Sequence, residues 1–143
     1  SSYHKSNHYK KYIMYFEKIY FQKWKYLSEL CWEMLTTFLK ILNITTKVVK
    51  ASSLKNIIGE KSDLILNICK MFNSNVYISG SEGKNYLREK DFIFNDIKVK
   101  YQNFNPLPYK QISNDFIPSL GIYDFIFNVD RPNEIFQKIT TKY

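Results

Sequence analysis

The residues best suited to chemistry gather around one short turn. Ser79-Gly80-Ser81-Glu82-Gly83 follows a strand-like run, Val76-Tyr77-Ile78-Ser79, and leads into a helix-like stretch from Asn85 to Lys90. A glycine pair at the C-terminal end of a parallel strand is where open α/β sheets hold ligands, because the backbone amides face outward and a helix N-terminus favours anions. The turn lacks the lysine and the spacing of a phosphate-binding P-loop. It reads equally well as a glycine turn that only satisfies unusual backbone angles. Tyr77, Tyr86, Tyr101 and Tyr109, with Gln102 and Gln111, fall near the ends of strand-like runs. Aromatic faces for the C–H side of a ring and amides for its hydroxyls are how proteins hold sugars. With twelve tyrosines in the chain, most also fit as half-buried core residues with their hydroxyls at the rim.

Asp124 is the acid that stands out. Its neighbours Leu120, Ile122, Tyr123, Phe125, Ile126 and Phe127 are apolar, and an unpaired carboxylate among them would be costly. It must cap or bond a backbone, or serve as a site acid. Other chemistries fit poorly. His4 and His8 share a spacing of four at the start of the chain, with no third histidine and no cysteine in ligand spacing, so no metal site is expected. No Gly-x-Ser-x-Gly elbow accompanies them. No cofactor motif is found either.

The elements that must position these groups follow from periodicity. Tyr9, Tyr12, Ile13, Phe16, Ile19 and Tyr20 predict an amphipathic helix over 9–22, and the stripe from Leu27 to Leu42 predicts a second, ended by Asn43. Trp24 and Trp32 read as packing residues. The β-branched run at 45–50 predicts a strand, Lys61 to Phe72 a helix, 76–79 and 97–103 further strands, and Asn105-Pro106-Leu107-Pro108 an extended loop. Ser119 to Asn128 and Asn133 to Lys142 predict two closing helices, with Pro132 opening the last. The expected fold is a single α/β domain over 1–143: a small, mainly parallel three-layer sheet with crossover helices, preceded by two long helices.

Composition narrows the function classes. The 143 residues are 45% hydrophobic and 17% aromatic, which excludes a disordered chain and supplies a core without disulfide or metal staples. No apolar run approaches the roughly 20 residues of a membrane-spanning helix, and no secretory signal is visible. Cys31 and Cys69 read as buried, reduced thiols, which suits a cytoplasmic address. The net charge of +8 is concentrated in the first 50 residues, yet only two of the 21 basic residues are arginine. Nucleic acid is therefore a poor fit, since phosphate clamps favour arginine. Ile, Lys, Asn, Tyr and Phe make up 72 of the 143 residues, and AT-rich codons alone would supply such an excess of lysine.

Three stretches carry a resemblance. Tyr77 to Leu87, Tyr101-Gln102-Asn103-Phe104 running to Tyr109-Lys110-Gln111, and Phe116 to Asn128 resemble the WbqC-like protein family of bacteria. Asn43-Ile44-Thr45-Thr46-Lys47, Ser52-Ser53-Leu54 and the segment from Tyr9 to Leu42 match it in order and spacing. Gly121 stands where relatives usually carry serine. Relatives also begin with a region opening around Gln-Pro-x-Tyr-x-Pro that this sequence lacks, so the chain is expected to be the C-terminal part of such a protein, or a shortened member missing half of a site, with that region or a partner chain supplying the rest. The resemblance implies a role in surface-polysaccharide (O-antigen) biosynthesis, with a small-molecule substrate such as a nucleotide sugar. That role is either a transferase acting on an activated sugar, with Asp124 the candidate acid, or a non-catalytic binding or assembly subunit.

Overall fold

The computed structural model describes residues 2–140, with side chains as far as 137. The chain forms two compact units. The first joins Ser1–Lys47 to Pro106–Tyr143, and the second is Val48–Asn105.

In the first unit α1 (Tyr9–Phe21) turns Tyr12, Phe16 and Ile19 inward, the three-and-four spacing of its apolar residues. The Trp24 indole donates to the carbonyl of Ile19 at 2.8 Å, so this tryptophan tethers the helix end. α2 (Leu27–Ile41) opens with the Tyr26 amide donating to Glu29 Oε2 at 3.3 Å, half of a capping box. It lays Phe38 and Ile41 against the core while Leu27 and Leu35 stay exposed. The core itself is Tyr12, Phe16, Leu42, Phe125, Ile126, Phe127 and Val129. Its centre is Phe16, whose ring meets Tyr123 at 4.6 Å, Phe38 at 5.5 Å and Phe127 at 5.7 Å. The partners from 122–128 belong to α5 (Ile122–Asn128), so residues a hundred positions apart complete one another. α5 starts three residues later than its apolar pattern predicts, because Ser119 is left-handed (φ 60°) and Gly121 is extended. α6 (Pro132–Thr140) begins on Pro132, as expected where a missing amide is harmless. The part of the expected last helix at 141 and 142 lies outside the described residues.

The second unit holds α3 (Lys61–Met71), β1 (Val76–Ser79), a 3-10 turn (Ser81–Asn85), α4 (Glu89–Phe94) and β2 (Lys98–Tyr101). The strands pair in parallel, Val76 opposite Lys98 and Ser79 opposite Tyr101. The fold is thus mixed helix and parallel sheet, and the sheet has two strands. Residues 45–50, expected as a third strand, are not one: Thr45 to Lys50 are exposed and pair with no strand. β-branched residues favour a strand only where a neighbouring edge and a packed face receive them. The expected helix at 85–90 is displaced too. The 3-10 turn occupies its start and α4 follows, with Phe92 buried against Leu66, Cys69 and Ile97. Both cysteines are free, but Cys31 is exposed, contrary to expectation, and only Cys69 is buried. Cys31 lies on the face of α2 that no core covers.

Three helices end by the same device. Asn43, Asn73 and Asp96 take positive φ (52°, 49° and 58°). The next residue's amide then reaches back: Ile44 to Leu39 at 2.8 Å, Ser74 to Cys69 at 2.9 Å and Ile97 to Phe92 at 2.9 Å. This is the Schellman pattern, usually built on glycine, carried here by residues that tolerate the left-handed region.

Candidate functional site

A cavity of about 390 Å³ opens within the first unit. One wall is the face of α1 that carries Tyr9, Ile13, Phe16, Glu17 and Tyr20, at the spacing of successive helical turns. The other is α5, with Tyr123, Asp124 and Phe127, and Tyr3 from the 3-10 turn at Ser2–Lys5 joins them. Most of the surface is aromatic, and among the described residues the charged groups on it are the carboxylates of Glu17 and Asp124.

Asp124 is 3% exposed, so its charge must be satisfied from within. The Tyr109 hydroxyl donates to Oδ2 at 2.6 Å and the Asn128 amide to Oδ1 at 3.1 Å, while the same amide also donates to the Asp124 carbonyl at 2.9 Å. Tyr3 is a third partner: burial, then the Asp124 charge and a hydrogen bond to it, raise the Tyr3 hydroxyl above its usual pKa. Burial, followed by the bond to Asp124, pushes Tyr109 up to about 12. Across the cavity the Tyr20 and Tyr123 hydroxyls meet at 3.1 Å, and burial followed by that contact raises Tyr123 as well. Tyr3, Tyr109 and Tyr123 thus keep their protons at neutral pH, and Tyr3 and Tyr109 donate to Asp124.

Of the residues singled out from sequence, Tyr109 and Asp124 are brought into direct contact. Gln111 is buried and bonded to the Tyr109 hydroxyl, and its amide also holds Ile117: Nε2 donates to the Ile117 carbonyl at 2.9 Å and Oε1 accepts the Ile117 amide at 2.8 Å. That pair of bonds folds the loop between Pro106 and Leu120 onto itself.

The other candidates lie in the second unit, at the end of the sheet. Ser79 is buried and its hydroxyl donates to the Gly80 carbonyl at 3.0 Å. Its own carbonyl accepts the Gln102 amide at 2.7 Å. Gly83 is a packing glycine, since a Cβ there would stand 2.0 Å from Ser79 Oγ and 3.0 Å from Ser79 Cβ. Gly80 has open space where its side chain would be, with ordinary extended angles. Tyr77 is stacked on Phe92 at 5.8 Å in the small core, whereas Tyr86 is exposed. Tyr101 donates to Glu89 at 2.6 Å, a bond that leads the causes raising its hydroxyl to about 12, and Lys84 sits over its ring at 5.2 Å. Ser81 and Gln102 are exposed at the same end.

Sequence reasoning missed Tyr3, Tyr9, Glu17, Tyr20 and Tyr123 as lining residues. The signal was present in part. Tyr9, Phe16 and Tyr20 share a helix face, but the same spacing describes a core stripe, and only α5 shows which part of the stripe stays uncovered.

The sequence profile of the WbqC-like protein family matches residues 1–135. The chain belongs to that family. This chain is similar to the uncharacterized protein Rv1507c of Mycobacterium tuberculosis, at 28% identity over 104 residues, 72% of the chain and 45% of the relative. The chain thus spans less than half the length of that curated protein. No solved structure matches this WbqC-like chain. Among the described residues no helix is long and apolar enough to cross a membrane, and no cluster of three His, Cys, Asp or Glu could hold a metal ion.

Proposed function

We propose that this WbqC-like chain acts in bacterial surface-polysaccharide (O-antigen) assembly as a transferase that modifies an activated sugar, with the sugar ring held in the tyrosine-lined cavity. The observation that carries this reading is the composition of the cavity wall. A volume of about 390 Å³ lies in the range of small-molecule sites. Tyrosine rings offer faces to the C–H side of a pyranose, and their hydroxyls and the two carboxylates suit its hydroxyl groups. In this reading Asp124 is a positioning residue, because its oxygens already hold Tyr109 and Asn128. Glu17, exposed at the wall, is the acid able to accept a proton from a bound hydroxyl as it attacks a donor. The strand-end turn of Ser79, Gly80, Ser81 and Gly83, with Tyr86, Tyr101 and Gln102, is proposed as a second ligand-binding surface, open at Gly80.

A second reading, a non-catalytic binding or assembly subunit, is favoured by the commitment of Asp124 to internal hydrogen bonds. Thermal-shift measurements against nucleotide sugars, followed by product analysis with acyl and aminoacyl donors, separate the two. Stabilisation by a nucleotide sugar, lost in Tyr123→Ala, together with a modified sugar product, is the expected result. Stabilisation without product in any donor mixture supports the subunit, and no stabilisation by any sugar overturns the site.

A further inference from the structure

We infer that the group this cavity holds against its carboxylates is an ammonium, so that the preferred ring is an amino sugar; the inference rests on the sugar-site reading above. The chain has 21 basic and 13 acidic residues, and Lys5, Lys10, Lys11 and Lys18 lie on or just before α1. Even so, among the described residues the cavity wall carries two acids and no lysine, arginine or histidine. Helical spacing explains how: Tyr9, Ile13, Phe16, Glu17 and Tyr20 face the cavity, and the lysines occupy the remaining positions of the same helix.

The wall is therefore negative within a strongly basic chain. Among the described residues, Asp124 is held by hydroxyl and amide donors that carry no charge of their own. Glu17 adds a second carboxylate. The faces of Tyr3, Tyr9, Tyr20 and Tyr123 are electron-rich and attract a cation over the ring. A phosphate or sugar carboxylate would meet repulsion here with no counter-charge to offset it, so the diphosphate of an activated donor stays outside this cavity. An ammonium gains on both counts, from the carboxylates and from the ring faces. Free amino sugars and non-sugar amines share that chemistry, and the test separates them.

The test is calorimetric titration of the full chain with glucosamine, N-acetylglucosamine, glucose and glycinamide at neutral pH. Glucosamine should bind about tenfold more tightly than its N-acetyl form or glucose, the size expected of a cation over aromatic faces with a carboxylate beside it. Glu17→Gln, an exposed change that leaves the core intact, should erase most of that preference. Equal binding of all three sugars overturns the ammonium inference and leaves the sugar site standing. Glycinamide binding as tightly as glucosamine upholds ammonium recognition and overturns the sugar reading. A preference unchanged in Glu17→Gln places the amine elsewhere and overturns the inference, and no binding by any of the four overturns both.

Discussion

The Tyr109 hydroxyl donates to Asp124 Oδ2 at 2.6 Å, and this bond, with the Tyr109 ring packed edge-on against Phe125, fastens the loop that follows Pro106 to the helix that completes the core. The bond is charge-assisted and largely shielded from water. Asp124→Ala would take the carboxylate acceptor from the Tyr109 and Tyr3 hydroxyls, while the Asn128 amide keeps the backbone carbonyl of residue 124, and should destabilise the fold by about 2–4 kcal/mol in urea unfolding. Tyr109→Phe, which removes one donor from a carboxylate that keeps others, should lose about 1–2 kcal/mol. Equal losses in the two variants would mean that Asp124 has no role beyond accepting Tyr109.

Alkaline pH should reach the same bond. The Tyr109 pKa rises from 10.0 to about 12 on folding, so between those values the folded state keeps a proton that the unfolded chain releases. The stabilisation is complete below pH 10 and is lost as pH rises through about 12. Urea midpoints measured across this window should fall with pH, and should fall less steeply in Tyr109→Phe. A slope unchanged by that substitution would assign the alkaline limb to other tyrosines.

The two glycines of the strand-end turn should behave differently. A methyl at Gly83 meets both Oγ and Cβ of the buried Ser79, so Gly83→Ala should destabilise by about 1–3 kcal/mol as an overpacked site does. At Gly80 nothing obstructs a side chain, and Gly80→Ala should be stable to within about 0.5 kcal/mol. Thermal unfolding of the two variants checks this, and a larger loss at Gly80 would refute the packing role of Gly83. Gly80→Val is accordingly the cleaner probe of ligand binding at this turn.

Arg88 makes its strongest contribution through its backbone. Its amide donates to Ser62 Oγ at 3.0 Å, and Ser62 is 1% exposed at the start of α3. Its guanidinium pairs with Asp63 and Asp91 in exposed positions. Ser62→Ala should lose about 1–2 kcal/mol by leaving that amide unpaired, whereas Arg88→Gln should lose less than about 1 kcal/mol because exposed pairs contribute little. Chemical denaturation ranks them, and the reverse order would show the surface ion pairs to be the stronger link.

Much of the helical framework was legible in the sequence. The stripes of α1, α2 and α3, the stop at Asn43 and the proline opening α6 are local signals, and each appears where its pattern lies. What failed depended on distant partners. Residues 45–50 have strand propensity and no strand to join, and Cys31 sits on the part of the α2 stripe that the core leaves uncovered, whereas Phe38 and Leu42 further along it are used. The Ser81–Asn85 segment became a 3-10 turn because Gly83 must fit over Ser79, a contact that spacing alone does not disclose. At the site, Asp124 was identifiable from its apolar neighbours and Tyr109 as one of the aromatics near the ends of strand-like runs. Their pairing spans 15 positions, and the cavity that α1 and α5 create together exists only once residues a hundred positions apart have met.

That separation sets an order of events as the chain is made. The second unit is continuous, and all of Val48–Asn105 is available before α5 has been synthesised. The first unit must wait, because Phe16 and Leu42 find their closing partners only when Phe125, Ile126 and Phe127 emerge. Until then the apolar faces of α1 and α2 travel through the cell uncovered, at risk of association with other nascent chains. A WbqC-like chain stalled or truncated before α5 would therefore carry a finished small unit on an unfinished, adhesive one, and would be a ready substrate for chaperones and proteases.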